Sequence, residues 1–431
     1  MLAATSAAAM LVLAACGSGG DSAPSGDGGS ASGETKNVTM TFWHNSTTGE
    51  GKEYWENTVA AFEEANPGVK IEIQAIQNED MDGKLQNALQ AGDAPDIFMA
   101  RGGGKLADVV HAGQVMDLTD KISAETKAAV GDAALQAFSV DGAVYGMPVA
   151  ILPGGIFYAE DLFNDAGITE TPTTVPDLEA AVEKLRATGV EPIALGGKDA
   201  WPAAHWFYFF ALRECPREVF DTDGAARELT NECWTTAAQD LQAFAATKPF
   251  NEGFLTTPAQ QGAGSSAGLV ANHKAAMELM GAWNVGVIKD LTPDQQALAD
   301  LRWFPFPEVE GGKGEPGAMM GGVDGYSCYV DAPAECVDFL NFFMGQKYQE
   351  EYAQAFATLP ASKDAQGVIE DPAMKQILEA YNEAPYVIVW LDTMLGQNVG
   401  NAVNAAVVDM LAGNLEPAQL TQRVNDAAAK G

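Results

Sequence analysis

"YWENTVAAFEEANPGVKIEIQ", residues 54–74, carries two periodicities joined by a turn. Tyr54, Trp55, Thr58, Val59 and Phe62 recur at the spacing of one helix face. Asn66-Pro67-Gly68 then interrupts the helix, because proline has no N–H to donate and glycine enters conformations other residues avoid. Val69, Ile71 and Ile73 alternate with Lys70, Glu72 and Gln74, the pattern of a strand with one buried face. A helix that feeds a strand through a tight turn is the unit of α/β architecture.

The same texture extends in both directions. Upstream, Val38, Met40 and Phe42 alternate as a half-buried strand before the chain breaks into Trp43, His44, Asn45 and a run of Ser, Thr and Gly. Downstream, Phe138 to Pro148 reads as a hairpin around Asp141-Gly142. Thr174 and Asp177 form a capping box for a helix whose Leu178, Ala181, Val182 and Leu185 share a face until Gly189. A body of roughly 390 residues exceeds what one hydrophobic core supports, so two domains are expected.

Asp and Glu number 59 against 24 Lys and Arg, a net charge of -35. Such acidity argues against nucleic acid or an anionic membrane surface as partner. Met1 to Ala15 is apolar and Ala-rich, too short for a permanent span, and reads as an export signal. Its close, Leu13-Ala14-Ala15-Cys16, resembles the lipobox of bacterial lipoproteins, which implies cleavage before Cys16 and diacylation of that residue. One departure is that no Lys or Arg precedes Lys36, whereas signal peptides open on basic residues. Residues 16–37 read as the lipidated cysteine and a flexible linker of Gly, Ser, Ala, Asp and Pro. No later apolar run reaches the ~18 residues a spanning helix needs. Cys215, Cys233, Cys328 and Cys336 remain, an even number in an exported chain, and favour disulfides over metal ligation. Of three possible connectivities, Cys215 with Cys233 and Cys328 with Cys336 close the shortest loops, and free buried thiols are the alternative.

Several stretches in order, among them "FEEANPGVKIE", "LQAGDAPDIF", "GQVMDLTD", "YGMPVAILPGGIFYAEDLFNDAGI", "PTTVPDL", "HKAAMELMGAWN", "GGVDGYSCYV" and "FLNFFMGQKYQEEYAQAFATLPASK", resemble the extracellular solute-binding proteins of ABC importers, in the carbohydrate-binding group that includes maltose-binding protein. Val175 departs from the tryptophan usual there. The resemblance implies two α/β lobes, a hinge and a central ligand cleft. It places 38–149 with 322–345 in the first lobe and 150–321 with 346–431 in the second. It further implies a sugar or oligosaccharide ligand, importer membrane subunits as partners, a monomer, no cofactor, and lipid anchorage on the extracellular face of the bacterial cell membrane.

A sugar ring offers an apolar face and a fringe of hydroxyls, so aromatic rings and planar polar side chains are the residues to seek. Where the first strand ends, Trp43, His44 and Asn45 supply that mixture, and strand ends are where open α/β sheets bind ligands. Arg101 follows the next strand. In "DAWPAAHWFYFF", Trp201 and His205 stand one turn apart on a helical run. Trp283 and Asn284 in "GAWN", Asp324 among glycines, and Trp390 with Asp392 in "VIVWLDTML" complete the set. Trp43, Trp201, Trp283 and Trp390 suggest more than one ring. A polyamine or cationic peptide in an acidic cleft is the first alternative, and a secreted glycosidase the second. Gly264-Ser265-Ser266-Ala267-Gly268 matches a nucleophile elbow, yet a polar loop precedes it where a strand is required. The four histidines, His44, His111, His205 and His273, show no metal-ligand spacing, and "RGGGK" lacks the glycine gap of a phosphate loop.

Overall fold

The computed structural model describes residues 37–430, so the signal segment 1–15 and Cys16 lie outside the described residues. In chain order the strands are β1 Val38–His44, β2 Val69–Ala75, β3 Ile97–Ala100, β4 Ser139–Val140, β5 Ala143–Val144, β6 Met147–Ala159, β7 Glu191–Ala194, β8 Ala275–Gly281, β9 Leu301–Phe304, β10 Met319–Cys328, β11 Leu359–Pro360 and β12 Val387–Val389. The main sheet runs β2-β1-β3-β10-β6-β8-β7, with β12 beside β10 and with β9 and β11 beside β6. β1 is parallel to β2 and β3, and β7 is parallel to β8, each reached through helical connections. Between these parallel blocks β10 and β6 lie antiparallel, and they tie the two halves together.

β6 is buried along all its residues, which is why it reads as an unbroken apolar run instead of an alternating one. Its residues up to Pro153 pair with β10, and from Gly154 onward with β8. A Cβ on Gly154 would lie 2.4 Å from the Trp390 ring, so glycine is what lets that ring approach the strand.

Both periodicities of residues 54–74 find their partners. Met40, Phe42, Trp55, Val59 and Phe62 enter one core with Tyr326, Phe339 and Phe343, and Phe42 meets Trp55 edge-on at 5.1 Å. A second core gathers Leu178, Ala181, Val182 and Leu185 with Trp206, Phe207, Phe210 and Trp234. A third holds Phe157, Met280, Val285 and Trp303. Thr174 and Asp177 form the reciprocal capping box. The β4–β5 hairpin turns on Asp141 and Gly142, at φ 51° and 85°, as a turn matched to strand twist requires.

Disulfides join Cys215 to Cys233 and Cys328 to Cys336. The first links the end of the helix Trp201–Glu214 to the start of the helix Glu232–Ala246, and the second links β10 to the helix Glu335–Phe343. The helix Gln346–Phe356 packs on the helix Gly49–Ala65, where Tyr352 meets Tyr54 at 5.4 Å inside the first core. The elbow-like serines are structural: Ser265 caps the helix Ser266–Ala271, and Ser266 donates to the Ala259 carbonyl at 3.0 Å.

Candidate functional site

A cleft of about 1060 Å³ opens between the halves. From the first half come the loop after β1, the start of the helix Asn78–Ala91, the residues after β3, and the middle of β10. These are strand ends and helix starts, the places where an α/β sheet leaves backbone and side chains free to face a ligand. From the second half come the start of the helix Trp201–Glu214, the turn after β8, the segment after β12 and the loop at Gln260–Gly262.

Asn45, Arg101 and Asp324 line the cleft from the first side, and Trp201, His205, Trp283, Trp390 and Asp392 from the second. Three expected residues do not. His44 is fully buried, its ring 5.2 Å from Phe42 and 6.0 Å from Trp55, with Nδ1 accepting from the Ser46 N–H at 3.1 Å. Burial, helped by Lys52, pushes it down to about 4 and keeps it neutral. The alternation that buries Met40 and Phe42 also buries His44, so the correct reading lay in the same strand pattern. Trp43 points to the other sheet face, half-buried beside Gln74 and Phe98. Asn284 is fully buried beneath the wall and donates to Glu278 at 2.7 Å.

On the second half the rings form one continuous surface. Trp283 lies 6.0 Å from Trp201 and 5.9 Å from Trp390, and His205 stacks on Trp390 at 4.2 Å and 8°. Trp283 packs against all three large cores at once, which fixes its ring. Trp201 Nε1, Trp283 Nε1 and His205 Nδ1 are buried without a hydrogen-bond partner among the described residues. Such groups cost stability unless something satisfies them. Burial holds His205 neutral at about 4, against the pull of Asp392.

The opposite wall is a ladder of charge. Arg101 donates to Asp82 at 3.0 Å and to Asn78 at 2.8 Å, and lies 3.7 Å from Asp324. Lys105 donates to Asp82 at 3.1 Å and, across the cleft, to Asp392 at 3.3 Å. Asn404 donates to Asp392 at 3.4 Å and accepts from Tyr208. Burial pulls Asp82 and Asp392 up, but the neighbouring cations outweigh it and hold both below the usual carboxylate range. At Asp324 burial prevails over Arg101 and raises it. Sequence reasoning missed Asn78, Asp82, Lys105 and Gln261. "NEDMD", opening a helix just after a strand, was the available signal for the first two.

A two-lobed α/β body, with a cleft walled by rings on one side and paired charges on the other, is the build of a receptor for a small polar solute. The chain matches the bacterial extracellular solute-binding protein family over residues 45–367 and belongs to it. The diacetylchitobiose binding protein of Streptomyces coelicolor is 25% identical over 386 residues, covering 86% of this chain and 84% of that protein. A putative binding protein of Brucella abortus (strain 2308) is 28% identical over 173 residues, so the match spans only 42% of that relative's length and 40% of this chain. A structure solved in work on xylan utilization by Caldanaerobius polysaccharolyticus superposes with a TM-score of 0.82 at 26% identity, covering 90% of this chain and 99% of that one.

Proposed function

We propose that the cleft binds a neutral sugar or oligosaccharide, and that the protein captures it outside the cell and presents it to the membrane subunits of an ABC importer. The wall of Trp201, Trp283 and Trp390 opposite the Arg101–Asp82–Lys105 ladder carries this reading: rings cover a pyranose face while planar polar groups meet its hydroxyls. The relative that binds diacetylchitobiose supports it. Lipidation at Cys16 would hold the receptor at the outer face of the membrane. The ligand would act by touching both lobes and so favouring their closure, with no chemical step. The lobes we propose meet at β6, β10 and the short β11, the last of these following the helix that packs on the first core.

Of the carboxylates a polyamine could meet, Asp82 and Asp392 on the ladder already face Lys105, and Asp82 also faces Arg101, while Glu79, Asp199 and Asp290 line the cleft elsewhere. The test is a thermal-shift screen against mono- and oligosaccharides and polyamines. A ligand at a hundred times its Kd stabilises the folded state by about 2.7 kcal/mol. A shift with a neutral saccharide that remains intact supports the reading. A shift with polyamines only, or cleavage of the saccharide, overturns it.

A further inference from the structure

The turn that carries Trp283 is fastened from below. Glu278, on β8, and Asn284, the first residue of the helix Asn284–Leu291, stand on either side of it, and Asn284 Nδ2 donates to Glu278 Oε2 at 2.7 Å. A Cβ on Gly281, between them, would lie 2.0 Å from the Trp283 ring, so that ring folds back over its own strand. Both members of the pair are fully buried.

The pair is complete only in one protonation state. A carboxyl and an amide can meet along two edges: the amide N–H donates to one carboxyl oxygen, and the carboxyl O–H, when present, donates to the amide oxygen. The first edge is made. The atoms of the second, Glu278 Oε1 and Asn284 Oδ1, have no hydrogen-bond partner among the described residues. Ionised, Glu278 offers only acceptors there; with its proton it supplies the missing donor. Ser266, the other polar group beside it, cannot supply one, because its hydroxyl donates to the Ala259 carbonyl at 3.0 Å. Among the described residues no cation faces Glu278 to support a charge. Phe157 of β6 and Ala194 of β7 flank it in the sheet, and the helix Ser266–Ala271 carries no titratable residue. On the other neighbouring helices Lys289 reaches Glu50, Asp290 lies against Gly49 and His205 stacks on Trp390. Tyr208 donates to Asn404, and Arg213 donates to the carbonyls of Phe306, Pro307 and Ala318. Burial accordingly raises Glu278 to about 7.

We infer that Glu278 is a positioning residue for saccharide binding: as a neutral acid it clasps Asn284 and so holds the turn and ring of Trp283 in place, and loss of its proton opens the clasp. The inference rests on the sugar-binding reading and adds a bound proton to it. Because the group is raised, the clasp is complete at lower pH and is lost as pH rises through about 7.

Tryptophan-fluorescence titration with diacetylchitobiose, xylobiose and maltose, at pH values from about 6 to about 9, tests it. These sugars carry no titrating group. For those that bind, wild-type affinity is expected to fall by about tenfold across this range. Glu278→Gln keeps both edges of the pair at every pH, so its affinity should change by less than about twofold. Glu214, raised to about 7 beside Asp240, does not line the cleft and is untouched in that variant. Infrared difference spectra of the protein without sugar give an independent reading: the carbonyl stretch of a protonated carboxyl should disappear over the same range, and the part due to Glu278 should be missing from the variant. A wild-type affinity that does not vary with pH, an equal fall in Glu278→Gln, or spectra without a protonated Glu278 at the lowest pH each overturn the inference and leave the sugar reading intact. If no saccharide binds at any pH, both fall.

Discussion

The two walls of the cleft solve the same problem with different physics. On the first, the cations are already committed, Arg101 to Asp82 and Asn78, and Lys105 to Asp82 and Asp392. On the second, the rings are held by packing, and the indole N–H groups of Trp201 and Trp283 have no partner among the described residues. On the sugar-binding reading proposed above, the paired wall fixes geometry before a ligand arrives and the ring wall supplies the packed surface it covers.

The sharpest way to break this contrast is Trp283→Ala. Because the ring touches three cores, the change is expected to lower unfolding stability by about 3 kcal/mol and to abolish the ligand-induced thermal shift. Urea unfolding and thermal shift check the two effects. Trp283→Phe, which keeps an aromatic face, should recover part of each, and full binding by the alanine variant would remove the aromatic wall from the account.

Next comes the support beneath that wall. Burial raises Glu278 to about 7 from an ordinary 4.5, so folding favours its protonated form. Its stabilising effect is present below the unfolded value and is lost as pH rises through about 7. Glu278→Gln removes that dependence. Relative to wild type, the variant should therefore gain up to about 3 kcal/mol between pH 4.5 and 8, read from denaturant curves at several pH values. A constant difference would mean that Glu278 does not titrate in this range.

On the charged wall, Lys105→Met should cost roughly 2 kcal/mol, since it leaves Asp82 and Asp392 facing each other with one fewer cation between them. Asp392→Asn in the same chain should restore part of this, and equal, additive losses in the double-mutant cycle would show that the pair is not coupled. The smallest effect expected is that of salt. Raising NaCl to about 0.5 M should change saccharide affinity by less than about twofold, because screening weakens the ladder without touching ring contacts. A steep fall would transfer the binding energy to the charged wall.

The helix-turn-strand at residues 54–74 was legible because its signals are local: each periodicity is set by neighbours within a turn or two. Residue type picked out Trp201, Trp283 and Trp390, which line the cleft, and equally Trp43, which does not. His44 was misplaced because its chemistry was weighed above the alternation of its own strand, which puts it inside. Lys105 and Asp392 stand 287 residues apart, and no local pattern announces that they meet. Gln261 likewise acquires its place only when a loop of one half reaches the helix of the other.

The late entry of β10 and of the helices Glu335–Phe343 and Gln346–Phe356 into the first core also sets the order in which the molecule can fold. A chain threaded through an export channel from its N-terminus delivers Phe42 and Trp55 long before Phe339, Phe343 and Tyr352 arrive to cover them. Contacts of such sequence separation form slowly. The first half consequently lacks the aromatic cover of its core until residues from the last third of the chain have emerged.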